Sequence, residues 1–234
     1  MKNNMTNNFT RCYRHGLTMI NVFMKVFLLL LLTGMLICCS QKQTKIIADG
    51  DDEIEIPSDT ICGCPQCTIY LLPYDNFTKK EAEKLLHKLQ KEFDKWLYGH
   101  WEFMVLEPVT FPQGSYIKSR NRYKVTPVLN YQLSLIEGNE VIIGLTHKDI
   151  CTNIHGVEDY GIVGMSRPLK QVCLVSDERL KNKSLIWKPI LHEFIHTFYG
   201  AKHCPKDDPS CFMKDAKGHG NFEVQDKLCE SCLH

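Results

Sequence analysis

Downstream of Cys62 the chain alternates apolar runs of recognisable period with polar breaks. Thr68-Ile69-Tyr70-Leu71-Leu72 is β-branched and apolar and reads as a buried strand. Thr78 with Glu81 three residues on forms a capping box that starts a helix. Leu85, Leu86, Leu89, Phe93, Trp96 and Leu97 follow at helical spacing, and Gly99 ends the segment. Trp101 to Leu106 reads as a second strand, and Thr126 with Pro127 has the form of N-cap and N1 of another helix, with Leu129, Leu133 and Ile136 on its apolar face. Strands are expected over Glu140 to Leu145, Gly161 to Met165 and Gln171 to Val175, and a last helix around Leu191 to Tyr199. Pro189 either lies at the start of that helix, near Trp187, or kinks it. This order predicts an α+β fold, a mixed sheet backed by helices.

Before Cys62 the pattern differs. Residues 1–39 carry Lys2, Arg11, Arg14 and Lys25 but no Asp or Glu, and they include the 13-residue apolar run Val26 to Cys38. That run is too short for a membrane span of roughly 20 residues, and with its basic flank it reads as an export signal. Its end, Leu36-Ile37-Cys38-Cys39-Ser40, resembles the lipobox of bacterial lipoproteins; Cys39 then becomes the lipidated N-terminal residue, because Cys38 is a small neighbour and Ile37 is not. The alternative is an ordinary signal or an uncleaved anchor. Residues 40–60 are polar and acid-rich, a tether, and residues 61–234 form one domain. The expected location is therefore exported and membrane-anchored, periplasmic or at the cell surface.

Charge and cysteine content narrow the function. The formal net charge is +1, and without the four basic residues of the leader 24 basic residues face 27 acidic ones, so the exported portion is mildly acidic. No basic stripe interleaved with aromatics points to nucleic acid. Twelve Cys are many for this length yet too few for a small disulfide scaffold, so their spacing has to account for them.

Residues 192–204 read His-Glu-Phe-Ile-His-Thr-Phe-Tyr-Gly-Ala-Lys-His-Cys. His192 and His196, four apart on a helix, project from one face and can share an ion, while Glu193 can reach a water on that ion without ligating it. Gly200 lets the chain turn back and bring His203 round as third ligand. Three imidazoles suit Zn²⁺ and leave one position open, as in a catalytic site. Cys204, Cys211, Cys229 and Cys232 could close a Cys₄ zinc site; the alternative is two disulfides.

This tail resembles the archaemetzincins, zinc metallopeptidases marked by HExxHxxGxxxCx4CxMx17CxxC. His192, Glu193, His196, Gly200, His203, Cys204, Cys211, Met213, Cys229 and Cys232 match. Arg120 to Tyr123, Gly144 to Ile150, Gly161 to Gly164 and Val175 to Leu180 also look like family segments, so the resemblance runs from about Thr68 to Cys232. Three spacings depart from it. Gly200 lies four residues after His196 instead of three, six residues instead of four separate Cys204 from Cys211, and 15 instead of 17 separate Met213 from Cys229.

The resemblance implies a zincin-like (metzincin) fold with an edge strand, Gln171 to Val175, along which an extended peptide pairs. It also implies two zinc ions. One, catalytic, is held by His192, His196 and His203; the other, structural, is held by the four Cys. Met213 is the methionine of the Met-turn. Glu193 is general base toward a zinc-activated water, and the substrate is a peptide or protein. A monomer is expected. The alternative from another class is a catalytically silent zinc- or peptide-binding lipoprotein, against which Glu193 speaks, since a binder has no need of a base. Cys62, Cys64, Cys67, Cys151 and Cys173 are expected to be free or disulfide-bonded, and His147 and His155 to be loop or surface residues.

Overall fold

Residues 66–154, 156–218 and 220–232 are described by the computed structural model of the protein. The export signal, the tether, Cys39, Cys62, Cys64 and His155 lie outside the described residues. The elements run β1 (Gln66–Pro73), α1 (Lys79–Trp96), β2 (His100–Val105), β3 (Tyr116–Ile117), β4 (Arg122–Lys124), α2 (Val125–Leu133), β5 (Val141–Thr146), β6 (Ile150–Ile154), β7 (Val157–Ile162), β8 (Gly164–Arg167), β9 (Val172–Ser176) and α3 (Trp187–Tyr199), with 3₁₀ turns at Lys183–Leu185 and Glu230–Cys232. Among the described residues no helix is long and apolar enough to cross a membrane.

The main sheet has the order β2-β1-β5-β9-β8. Its first four strands are parallel, and β8 closes one side antiparallel to β9. Alternate residues of the same strands serve opposite faces. Ile69 and Leu71 of β1, Ile143 of β5 and Val175 of β9 join one core with Leu89 and Phe93 of α1 and Ile190, Leu191 and Phe194 of α3. Leu72, Ile142 and Leu174 face the other way and meet Val125, Val128 and Leu129 of α2. With both faces covered, a central strand needs no polar alternation, which is why these strands read as continuous apolar runs. A second sheet, β3-β4-β6-β7, stands beside the first.

The capping box forms as its residues predict: the Glu81 N–H donates to Thr78 Oγ1 at 3.2 Å, and the Thr78 N–H donates to Glu81 Oε2 at 2.8 Å. Three expectations need correction. The second helix begins at Val125, with Lys124 rather than Thr126 at its N-cap and no side-chain cap, because the chain passes directly from a paired strand into the helix. Pro127 then sits at the third helical position, where an N–H has no intrahelical acceptor. The run Gly161 to Met165 is not one strand. It divides at Val163, with Ile162 ending β7 in the second sheet and Gly164 opening β8 in the first. Finally, Gln171 to Val175 is not an edge strand: β9 lies between β5 and β8 and is buried throughout, and the edge belongs to β8.

Thr78→Ala removes the acceptor of the capping box. It is expected to lower stability by about 1 kcal/mol, read as a shift of the urea midpoint at constant slope; an unmoved midpoint would show that the box contributes nothing.

Candidate functional site

Helix α3 is buried from Trp187 through Thr197, so each polar group on it needs a partner inside the protein. Pro189 is its third residue, and the helix runs unbroken. Lys188 Nζ donates to the carbonyl of Phe222 at 2.6 Å and to that of Gln225, which ties down the C-terminal tail. Thr197 Oγ1 donates to the Val172 carbonyl at 2.8 Å, fastening the helix under β9. Gly200 caps the helix in the left-handed conformation, φ +65°, with its N–H on the His196 carbonyl, and the chain turns back there.

His192, His196 and His203 are brought together, with one ring nitrogen from each within 4.8 Å of the others. His203 reaches the cluster despite the extra residue ahead of Gly200, and the loop after Gly200 also fixes a second imidazole of it, since the Ala201 carbonyl accepts a hydrogen bond from His196 Nδ1. The Phe212 carbonyl accepts from His192 Nδ1 at 2.7 Å. Both rings thereby keep their Nε2 lone pairs for the centre, and these nitrogens face each other at 3.0 Å. Two facing acceptors repel unless a cation stands between them. Tetrahedral zinc with Zn–N of about 2.05 Å has N···N edges of about 3.3 Å, so the cluster fits that ion. Burial and the two neighbouring imidazoles push His192 down to about 3, and burial also lowers His196, so both rings are neutral and able to ligate at physiological pH.

Glu193, equally buried, lies against β8. Burial pushes its carboxyl up to about 8, partly offset by a hydrogen bond from the Ser166 hydroxyl. Gly164, on the same strand face as Ser166, lies so close that a Cβ there would stand 2.8 Å from Glu193 Oε1. The edge strand therefore positions this carboxylate through Gly164 and through Ser166, which the chain's pattern did not single out. A cleft of about 260 Å³ opens between β8, the imidazoles and the segment 215–218.

Cys204, Cys211, Cys229 and Cys232 also converge, their sulfurs within 4.8 Å of one another. The Cys204–Cys229 and Cys229–Cys232 sulfur separations are both 3.6 Å. A disulfide requires about 2.05 Å, whereas tetrahedral Zn–S bonds of about 2.3 Å give edges of about 3.8 Å. Burial raises the Cys211 and Cys232 thiols; at Cys229 hydrogen bonds from the other three sulfurs outweigh burial and lower it. A shared dication would ionise all four. Met213 is fully buried in the turn after Cys211, and its carbonyl accepts the Cys204 N–H at 2.7 Å, so this turn is bonded both to the sulfur cluster and, through Phe212, to His192.

The remaining expectations resolve as follows. Cys67, Cys151 and Cys173 are free and buried; burial pushes the Cys67 thiol up to about 12 and Cys173 well above its ordinary value, so both are inert fillers of the interior. His147 is a loop residue, in the bend between β5 and β6, and is half-buried there. It stacks on Phe77 and its Nδ1 lies 2.9 Å from both carboxylate oxygens of Asp177.

The wall of the cleft opposite β8 is braced by ions. Asp149 accepts from Arg179 at 2.6 and 2.9 Å and from Arg122 at 2.7 Å; Arg179 also approaches the Gly218 carbonyl at 3.5 Å. Tyr160 donates to the Lys217 carbonyl at 2.6 Å.

Comparison with known proteins agrees with this geometry at the level of fold. No protein-family model and no curated protein matches the chain. Solved structures do match. Archaemetzincin from Methanopyrus kandleri is 20% identical with a TM-score of 0.60, covering 72% of this chain and 92% of that one. Archaemetzincin from Archaeoglobus fulgidus, complexed with malonate, is 23% identical with a TM-score of 0.56, covering 70% and 97%. A zinc-dependent peptidase from Methanocorpusculum labreanum is 19% identical with a TM-score of 0.57, covering 71% and 100%. The fold is the mixed α+β fold of these archaemetzincin structures, and the histidine and cysteine clusters both fit zinc.

The ion network gives a pH-dependent expectation. Burial would raise the Asp149 carboxyl, but hydrogen bonds from Arg179 and Arg122 outweigh it and hold it below the usual carboxylate range. A carboxyl depressed in the folded chain contributes fully above its unfolded value, about 4, and loses that contribution as pH falls toward the folded value. Asp149→Asn is therefore expected to cost about 2 kcal/mol at pH 7, with the gap to the parent closing below about pH 4. Urea unfolding across pH checks this; a gap that ignores pH would remove charge from the account.

Proposed function

We propose that the chain is a zinc metallopeptidase of the archaemetzincin type, with His192, His196 and His203 holding a catalytic zinc and Glu193 as general base. The observation that carries this reading is the convergence of three imidazoles beside a buried carboxylate, under the free edge of a strand. When bound, zinc supplies a Lewis acid that polarises the scissile carbonyl and lowers the pKa of water to roughly 7. The chain's own residues do the rest. The outer edge of β8 offers backbone donors and acceptors to an extended peptide. Glu193 takes the proton of the attacking water on its carboxylate and delivers it to the leaving amine nitrogen. Its burial, which favours the protonated form, helps it carry that proton, and a dication nearby would favour the ionised carboxylate that accepts it. Ser166 and Gly164 hold it against β8. Cys204, Cys211, Cys229 and Cys232 hold a second, structural zinc, and Met213 serves as the Met-turn residue. The protein acts as an exported monomer tethered through a lipidated Cys39, on peptide or protein substrates at the periplasmic or outer face.

Metal analysis of the reduced protein is expected to give two zinc equivalents; one equivalent would leave the cysteines without a metal role. Glu193→Gln should lower kcat toward peptides by about 10² to 10⁴-fold with zinc content unchanged. Cleavage that survives this substitution would overturn the assignment of the base. Incorporation of labelled palmitate in bacteria should be abolished by Cys39→Ala, and unlabelled parent protein would overturn the anchor.

A further inference from the structure

Three charged side chains line the cleft: Glu193, Lys217 and Asp215. The reaction uses the first and leaves Asp215 without a task. Asp215 is not among the groups whose ligand atoms converge on either cluster, yet its charge is felt at His192, His196 and Glu193. Its carboxylate is presented by a pinned turn. Oδ1 accepts the Lys217 N–H at 2.9 Å, and that residue's carbonyl is held by Tyr160 at 2.6 Å. Lys217 lies within the field of Asp207, whose carboxyl it helps, after the Lys214 contact, to hold low. Much of the remaining lining is apolar, including Ile162, Val163, Pro189 and Phe222.

A substrate seated against these residues displaces water from the Asp215 carboxylate. The Lys217 N–H meets one oxygen only, and a carboxylate whose other oxygen is left in an apolar groove without a donor is costly, so the cleft discriminates against an uncharged neighbour and in favour of a cationic one. Resting on the metallopeptidase reading above, we propose that Asp215 is a specificity-determining residue that pairs with a positively charged amine or guanidinium of the peptide flanking the scissile bond. The shared chemistry has two sources, a Lys or Arg side chain or a free amino terminus.

The test uses the zinc-loaded full-length chain and matched peptides carrying Lys, norleucine or Glu at one flanking position, each with a free or acetylated amino terminus. The parent is expected to favour the cationic partner by about 10 to 100-fold in kcat/KM, the worth of a charge-assisted hydrogen bond. In Asp215→Asn, which keeps an oxygen for the Lys217 N–H, this ratio falls to near one, chiefly through KM, and Asp215→Lys turns the preference toward Glu. Loss confined to the Lys peptides assigns the side chain; loss confined to the unacetylated series assigns the terminus. Ratios identical in parent and Asp215→Asn overturn the proposal. Anisotropy of a fluorescent Lys peptide on Glu193→Gln protein, with and without Asp215→Asn, reads the same contact without turnover. If no peptide is cleaved, the peptidase reading fails while this arm still decides on Asp215: weaker binding without the carboxylate supports it and equal binding overturns it.

Discussion

Helix α3 takes Lys188, His192, His196 and Thr197 out of water together, and each must find a hydrogen-bond partner or cost about 1 to 3 kcal/mol. Their donors find acceptors outside the helix. Lys188 draws on the carbonyls of Phe222 and Gln225, His192 on Phe212, His196 on Ala201 and Thr197 on Val172. One desolvated helix face thus dictates the course of a tail that is poor in apolar residues. The same bonds set both imidazole tautomers, so the requirement that stabilises the tail also orients the two nitrogens that face each other in the cluster.

The sheet imposes a different constraint on the other side of the site. Its parallel strands are covered on both faces by helices, and its polar edge is displaced to β8, which turns antiparallel to β9. That strand is half-buried and short, which fits an edge that must stay available without recruiting other chains. Because Gly164 and Ser166 sit on it, the same four residues that would align a peptide also restrain Glu193. In the proposed reaction, alignment of the peptide and placement of the base are thereby mechanically linked.

Much of this was legible in the residues, for identifiable reasons. His192 and His196 share a face because the helical period demands it, and Thr78 with Glu81 is a local device that owes nothing to tertiary context. The continuous apolar runs near Ile69, Ile143 and Leu174 mark central strands because both sides are covered. What stayed hidden depends on partners distant in sequence. Periodicity reports that a strand is apolar but not who pairs with it, so the division at Val163 and the exchange of edge between β9 and β8 could not be read from it; the unbroken apolar run Val172 to Val175 was the one hint of an interior strand. The arrival of His203 depends on the left-handed turn at Gly200, whose identity is readable while its reach is not. Asp215 carries no local signal: its position comes from Tyr160, 55 residues earlier in the chain, holding the turn that presents it.

The sulfur cluster draws on Cys204 and on Cys229 and Cys232, and it shares backbone bonds with the turn that orients His192. Translation proceeds from the amino end, so the ribosome has made the whole sheet and helix α3 before the last thiols exist. A nascent or truncated chain ending ahead of Cys232 cannot close the cluster, and the turn bearing Phe212 lacks its brace until then. Orientation of His192 by the Phe212 turn is thereby completed only after Cys229 and Cys232 have been added, well behind the helix that bears the imidazole.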